Sequence, residues 1–323
     1  MGRHGECYMA DDNKKVLVTD EIAYEGIKYL EEHCHVDVKT SIEPSELLKI
    51  INGYSGLIVR SRTVVTEDVL KLGTDLEVIG RCGVGVDNID LVSCEKRGVK
   101  VVNCPTSSTI AVAELTFGLL LGLVRKVTFC DREMKSGNWP KKQYVGNELN
   151  GKILGLISLG RIGAEVARIA IAFGMSVIAY DPYVDNHKIN NNNIMMVDLD
   201  VVFSDSDYLS VHAPLNEETR HIISHESFDK MKDGVKIVCA ARGGIINEDA
   251  LLNALELGKV SGAALDVFEI EPPVNDKLIN NTNVIVTPHI GAQTKDAQIR
   301  AGVDIAEEVV AVLTDKKIRW RVV

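Results

Sequence analysis

Short β-branched apolar runs that alternate with amphipathic helical stretches constrain this chain more than any other feature. From Lys15 the order is KVLVTD, YEGIKYLEEH, VDVKT, PSELLKIING, GLIVR, TEDVLKLG, LEVIG, LVSCEKRG and VKVVN. Nearly continuous apolar strands, each followed by a helix with one apolar face, need a parallel sheet with helices on both sides. The rhythm stops at a long helical segment, roughly residues 110–136, read as one crossover helix. It resumes with KILGLISL, RIGAEVARIAIAFG, SVIAYD, YLSVHAP, VKIVCAA, EDALLNALELG, GAALDVF and NVIVTPH. A last helical pattern, about residues 294–313, is long enough to cross back. The expectation is an α/β chain of two doubly wound parallel-sheet domains, one inserted into the other. Residues 1–103 and 293–323 would form the discontinuous domain and 104–292 the inserted one. At 323 residues the chain is also too long for one typical core.

Charge and cysteine usage exclude several classes. The formal net charge is -10, with no long Lys/Arg run, so nucleic acid is a poor partner. A small anionic ligand stays compatible, because a few local cations can oppose the global charge. Seven cysteines include no CxxC pair, which suits neither a disulfide framework nor a zinc site; free thiols in a reducing cytoplasm and no metal are expected. The run LTFGLLLGLV, residues 115–124, is too short to span a bilayer and follows Glu114, so it reads as a buried helix and no membrane is implied. The first 14 residues lack the apolar core of a signal peptide and read as a frayed extension. The asparagine run at 190–193 reads as a solvated loop.

The stretch LGLISLGRIG nearly spells the turn of a Rossmann dinucleotide-binding unit. In G-x-G-x-x-G the first glycine permits a tight turn, the second lets backbone approach the pyrophosphate, and the third lets helix and strand pack closely. Gly160 and Gly163 keep the second and third roles, whereas Ser158 stands in the first. Serine there requires a turn open to non-glycine residues, or a strain of roughly 1–3 kcal/mol. The following helix offers its N-H groups and positive end to a phosphate. The next strand, SVIAYD, ends in Asp181, where a carboxylate accepts from the adenosine ribose hydroxyls and repels a 2'-phosphate, so NAD is expected over NADP.

Three polar residues lie just beyond other strand ends, where ligands of open α/β sheets bind: Arg242 in VKIVCAARGGI, Glu271 after GAALDVF and His289 in NVIVTPHIG. Singly, each has a bland role as an ion-pair partner, a loop acid or a core histidine. Together they fit the oxidation of a 2-hydroxy acid. A guanidinium fork holds the substrate carboxylate, histidine takes the hydroxyl proton as hydride leaves, and a neighbouring carboxylate orients the imidazole and stabilises its charged form.

The segments GLIVRSRT, GRCGVGVDNID, AVAELTFGLLL, LGRIG, CAARGGIINEDAL, GAALDVFEIEPP and TPHIGAQT, in this order, resemble the D-isomer-specific 2-hydroxyacid dehydrogenase family over about residues 15–313. The resemblance implies a Rossmann NAD-binding domain inserted into a flavodoxin-like substrate domain, with Arg242, Glu271 and His289 as catalytic trio. It implies cofactor contacts from Gly160, Arg161, Ile162, Gly163, Asp181, Ala213, Ala240, Ala241, Asp266, Gly291 and Ala292. It implies substrate contacts from Arg60, Ser61, Gly83, Val84, Gly85 and Asn103. Departures are Ser158, Ser108 in the loop CPTSST where asparagine is usual, and Ala213 where some relatives carry threonine. The chain also leaves no room for the C-terminal regulatory domain of longer relatives, so serine feedback through it is not expected.

Recognition of a phosphorylated substrate needs further cations. Arg60 and Arg62 in VRSRT are the candidates, with Lys141 or Lys142 from a neighbouring subunit as weaker ones. The resemblance thus implies NAD-dependent oxidation of 3-phospho-D-glycerate to 3-phosphohydroxypyruvate, the first step of serine biosynthesis, by a homodimer. A hydroxypyruvate or glyoxylate reductase shares the fold and the trio. A cofactor-sensing binding protein like the corepressors of this fold is a rival of another class, disfavoured by the lack of a basic tail.

Overall fold

The computed structural model describes residues 14–184 and 193–323. The expected frayed extension lies outside them up to residue 13, as do Cys7 and residues 190–192 of the asparagine run. The chain divides into two compact units, Met1–Ser108 with Gln293–Val323, and Thr109–Ala292.

In the first unit the chain runs β1 (Lys15–Val18), α1 (Tyr24–Glu31), β2 (His35–Val38), α2 (Pro44–Ile50), β3 (Gly56–Val59), α3 (Glu67–Leu72), β4 (Val78–Arg81), α4 (Leu91–Arg97) and β5 (Lys100–Asn103). All pairings are parallel, in the order β2-β1-β3-β4-β5, which is the flavodoxin-like order. β3 is buried along its whole length, as its unbroken apolar run GLIV demands.

The second unit contains α5 (Thr109–Val124), α6 (Val127–Lys135), β6 (Ile153–Ile157), α7 (Arg161–Ala172), β7 (Ser176–Tyr180), β8 (Ile194–Met196), α8 (Leu199–Asp205), β9 (Tyr208–Val211), α9 (His225–Lys230), β10 (Val235–Cys239), α10 (Glu248–Glu256), β11 (Val260–Leu265), α11 (Asp276–Ile279) and β12 (Val284–Val286). Its sheet has the order β12-β11-β10-β9-β6-β7-β8, again all parallel. The order reverses between β6 and β9, the switch point at which doubly wound sheets bind dinucleotides. Successive residues of one strand feed opposite cores: Ile237 joins the cluster with Val211 and Leu265, whereas Val238 joins the one with Leu156 and Ala179. The chain then returns to the first unit as α12 (Lys295–Leu313), capped by Thr294 Oγ1, which accepts from Ala297 N at 3.1 Å.

Two details differ from the expectation. The crossover segment is two helices and not one, because Lys126 adopts the left-handed conformation (φ 54°) that no continuous α-helix contains. The division between units falls after Ser108 and not after Asn103. Cys104 Sγ donates to Ala301 O at 3.3 Å and Arg300 Nε to Ser107 O at 3.1 Å, so α12 ties the CPTSS loop to the first unit. α5 is apolar around its circumference and mostly buried, as LTFGLLLGLV requires. Among the described residues, no helix is long and apolar enough to cross a membrane, and all six described cysteines are free thiols.

Candidate active site

The turn after β6 shows what serine does in place of glycine. Ser158 has φ +76°, a region costly for a residue with a Cβ, so the strained alternative is the one adopted. Its N-H donates to Tyr180 O at 2.8 Å. Its hydroxyl donates to Asp181 Oδ2 at 3.0 Å, and Leu159 N donates to the same oxygen at 2.9 Å. Tyr183 N holds Oδ1 at 2.9 Å. Three donors therefore fix the Asp181 carboxylate beside the turn, and of its roughly four lone-pair sites one on Oδ1 stays open for a ribose hydroxyl.

The two retained glycines fit a dinucleotide for different reasons. Gly160 caps α7, and a Cβ there would meet nothing within 4 Å, so open space lies where the backbone should approach a pyrophosphate. At Gly163 a Cβ would collide with Ser158 O, so this residue serves the close crossing of helix and strand. Arg161 and Ile162 form the first turn of α7, whose unpaired N-H groups and dipole favour an anion. On the far side of the switch point, His212 N donates to Ile157 O at 2.9 Å and its Nε2 bonds Ser210 Oγ at 2.8 Å. His212 Nδ1 is buried without a hydrogen-bond partner among the described residues. Burial pushes this imidazole down to about 4, so it is neutral at pH 7. Sequence reasoning stopped at its neighbour Ala213, which is buried; a histidine at a strand end beside the switch point was the available signal.

The trio sits beyond the carboxyl ends of three adjacent strands. Cys239, Leu265 and Val286 close β10, β11 and β12 in neighbouring positions. Arg242, Glu271 and His289 follow them. Glu271 Oε2 lies 2.8 Å from His289 Nδ1, and Glu271 Oε1 accepts from Phe268 N at 3.2 Å. An ionised carboxylate only accepts, so Nδ1 carries the proton and Nε2 is left with its lone pair. Arg242 Nη1 donates to Ala241 O at 2.7 Å, and a Cβ on the next residue, Gly243, would collide with Phe268 O. The loop after β10, which holds Ala240 and Ala241, is thereby packed against the segment leading to Glu271. Glu248 and Glu269 reinforce this by exchange, Glu248 N to Glu269 Oε1 at 3.1 Å and Glu269 N to Glu248 Oε1 at 2.7 Å.

Asp266, expected as a cofactor contact, is engaged within the protein itself. It is completely buried, and its carboxylate accepts from Thr287 Oγ1 (2.6 Å), Ile290 N (2.8 Å) and Gly291 N (2.8 Å). Its backbone O accepts from His289 N at 2.9 Å. Asp266 is a latch that holds the loop 287–291, including His289 at φ 52°. Ala292 is the last residue of this unit.

The first unit carries the residues expected at substrate. Arg60 follows β3; its N-H donates to buried Asp20 (Oδ2, 2.6 Å) and its Nη2 to neutral Gln293 (Oε1, 3.1 Å). Among the described residues no carboxylate is within ion-pair distance of its guanidinium. Arg62 behaves differently: Nη1 donates to Ile42 O at 2.9 Å, Nη2 to Thr19 O at 2.6 Å, and Nε lies 3.3 Å from Asp20 Oδ1. That geometry makes Arg62 a strut of the loop after β3, with its side chain still exposed. Asn103 Nδ2 donates to Val84 O at 2.6 Å and Cys104 N to Gly83 O at 2.8 Å, so the loop Gly83–Gly85 is fastened to the end of β5. Ser61, Lys141 and Lys142 are exposed.

A Rossmann-type sheet, an anion-ready helix start and a carboxylate-backed histidine beyond strand ends define a nicotinamide-dependent dehydrogenase unit. Residues 117–291 match the family described as D-isomer specific 2-hydroxyacid dehydrogenase, NAD binding domain. A D-3-phosphoglycerate dehydrogenase of Methanocaldococcus jannaschii is 46% identical over 300 residues, 93% of this chain and 57% of that protein. A hydroxypyruvate reductase of Thermotoga maritima is 46% identical over 299 residues, 91% of this chain and 97% of that protein. The solved D-lactate dehydrogenase of Aquifex aeolicus, complexed with NAD and lactic acid, superposes with TM-score 0.80 at 31% identity, covering 94% of this chain and 96% of that one. The chain belongs to the D-isomer specific 2-hydroxyacid dehydrogenases. It spans little more than half the length, 54 to 57%, of the phosphoglycerate dehydrogenases that it matches first.

Proposed function

We propose that this chain catalyses NAD-dependent oxidation of 3-phospho-D-glycerate to 3-phosphohydroxypyruvate, the entry reaction of serine synthesis, and its reverse. The observation that carries the reading is the 2.8 Å contact between Glu271 Oε2 and His289 Nδ1, which leaves His289 Nε2 as the acceptor. Nε2 takes the proton of the substrate hydroxyl while the C2 hydrogen leaves as hydride; in reduction Nε2-H returns the proton to the keto oxygen. The Glu271 carboxylate holds the ring and stabilises the imidazolium as it forms. Bound NAD supplies the hydride acceptor. Arg242 clamps the substrate carboxylate through its planar fork, and Arg60 receives the phosphate. Gly160, Arg161, Ile162 and Gly163 cradle the pyrophosphate, and Asp181 accepts from the ribose. Ser61, Gly83, Val84, Gly85 and Asn103 contact the substrate.

The names of the relatives support this choice, and one supports a second reading. The Thermotoga maritima hydroxypyruvate reductase is matched over 97% of its length, which favours an unphosphorylated keto acid. Turnover of 3-phosphohydroxypyruvate and hydroxypyruvate with NADH decides between them. A higher kcat/KM for the phosphorylated acid is expected, and the opposite order sinks the phosphoglycerate assignment. A homodimer and a cytoplasmic location belong to the same proposal, and the free thiols of the six described cysteines suit a reducing compartment.

A further inference from the structure

The edge of the second unit opposite the trio holds a feature that hydride transfer does not use. A cavity of about 200 Å³ lies by the amino ends of β10, β11 and β12, lined among others by Lys126, Phe129, Asn147, Lys236, Ser261 and Asn283. That is about an order of magnitude more room than one water needs. Two lysines share it, and neither has a carboxylate within ion-pair distance among the described residues. Lys126 stands over the Tyr144 ring, 5.6 Å from its centroid, on a backbone strained at φ 54°. Lys236 Nζ donates to Ser261 Oγ at 2.8 Å, and Ser261 Oγ donates to Gly234 O at 2.6 Å. The serine hydroxyl is thus spent as a donor, and two of the three Lys236 ammonium hydrogens remain for a ligand.

An acidic protein that places two half-buried ammonium groups in one recess without an acid incurs both desolvation and mutual repulsion. Both effects pull the Lys236 amine below the usual lysine range, burial first and Lys126 second. A compact dianion with several acceptor oxygens would relieve both, and the amides of Asn147 and Asn283 add neutral donors at the rim. We propose that the cavity lined by Lys126 and Lys236 is a binding site for a phosphate group, separate from the substrate and cofactor sites at the carboxyl ends of the strands.

The test is isothermal titration of the full chain, saturated with NADH, with inorganic phosphate and with glycerol 2-phosphate at constant ionic strength set by chloride. Phosphate is expected to bind, and Lys236→Met and Lys126→Met are each expected to weaken it at least tenfold. Turnover in phosphate-free buffer should stay unchanged in both variants. Binding of inorganic phosphate alone assigns the free ion, and binding of both probes assigns a phosphomonoester headgroup; either supports the site. Because each substitution removes an uncompensated charge, both variants should unfold at or above the wild-type temperature in phosphate-free buffer. Should one fail to fold, the other still decides. Equal phosphate affinity in wild type and variants overturns the proposal, as does no binding at all. The same holds if the substitutions change only the monomer–dimer equilibrium in sedimentation, which would mean that a carboxylate of a second copy fills the cavity.

Discussion

Ser158 offers the sharpest test of how the cofactor turn is built, because two substitutions separate its strain from its hydrogen bond. A non-glycine residue at φ +76° costs about 1–2 kcal/mol. The hydroxyl bond to Asp181 at 3.0 Å is to a charged group and would be worth about 1.5–3 kcal/mol if buried. It is part-buried, and water replaces some of it, so about 1 kcal/mol is reasonable. Ser158→Ala keeps the strain and loses the bond, which predicts a loss of about 1 kcal/mol. Ser158→Gly loses the bond and the strain but adds unfolded-state freedom worth about 0.4–1 kcal/mol, which predicts a net change near zero. The alanine variant should therefore unfold roughly 2–4 °C below wild type and below the glycine variant, by calorimetry at pH 7. The alanine cost should vanish in an Asp181→Ala background, since the partner is gone. Alanine as stable as glycine, or an undiminished cost in that background, would falsify the view that Asp181 compensates the strained serine.

Further expectations concern the chemistry and the interior. His289→Ala should lower kcat by about 10²–10⁴ while leaving the NADH dissociation constant within about twofold, measured by single-turnover kinetics and fluorescence titration; near-normal turnover removes it from the proton step. Gly163→Ala forces a Cβ into Ser158 O, so NADH affinity and stability should both fall, the latter by about 1–3 kcal/mol in urea unfolding. His212, held to about 4 when folded against the ordinary histidine value of about 6.5, stays neutral in the fold while the unfolded chain takes up a proton. Its share of stability, at most about 3 kcal/mol, is full above pH 6.5 and is lost as pH falls towards 4. Urea unfolding of His212→Gln at pH 7.5 and pH 5 should show a shallower pH dependence, and an unchanged slope refutes it.

Much of this was legible because the signals are local. The alternation of KVLV, GLIV and VKVVN with helical stretches gives the parallel sheets, since a strand buried on both faces must be apolar throughout. Arg242 and His289 stand out because each is polar shortly after such a run, whereas Glu271, separated from GAALDVF by Glu269 and Ile270, is singled out by the resemblance carried by GAALDVFEIEPP. What stayed hidden depends on who meets whom in three dimensions. Nothing in VRSRT tells Arg60 from Arg62, yet one guanidinium is claimed by Thr19 O, Ile42 O and Asp20. The resemblance gives Asp266 as a cofactor contact, but only the fold shows that the loop 287–291 donates to both of its carboxylate oxygens. The break at Lys126 lies inside a run read as helical, where no proline and no adjacent glycine marks it.

The return of the chain into its first unit has a consequence for how the protein is made. Residues 109–292 are contiguous and own a complete sheet, so they can fold as soon as they are synthesised. The first 108 residues, though made earlier, lack the helix that covers one face of their sheet: Ile305 and Val309 of α12 are wholly buried in the core with Val16, Ile58 and Val78. Limited proteolysis of a chain stopped at Ala292 should therefore spare residues 109–292 and cut within 1–108; equal resistance of both segments contradicts this order. The terminal residues also close the open edge of the same sheet, with Val322 N donating to Val101 O at 2.7 Å. Residues 15–103 leave the ribosome before residues 109–292 but complete their fold only once α12 has followed, with a bare sheet face and a bare edge to be sheltered in between.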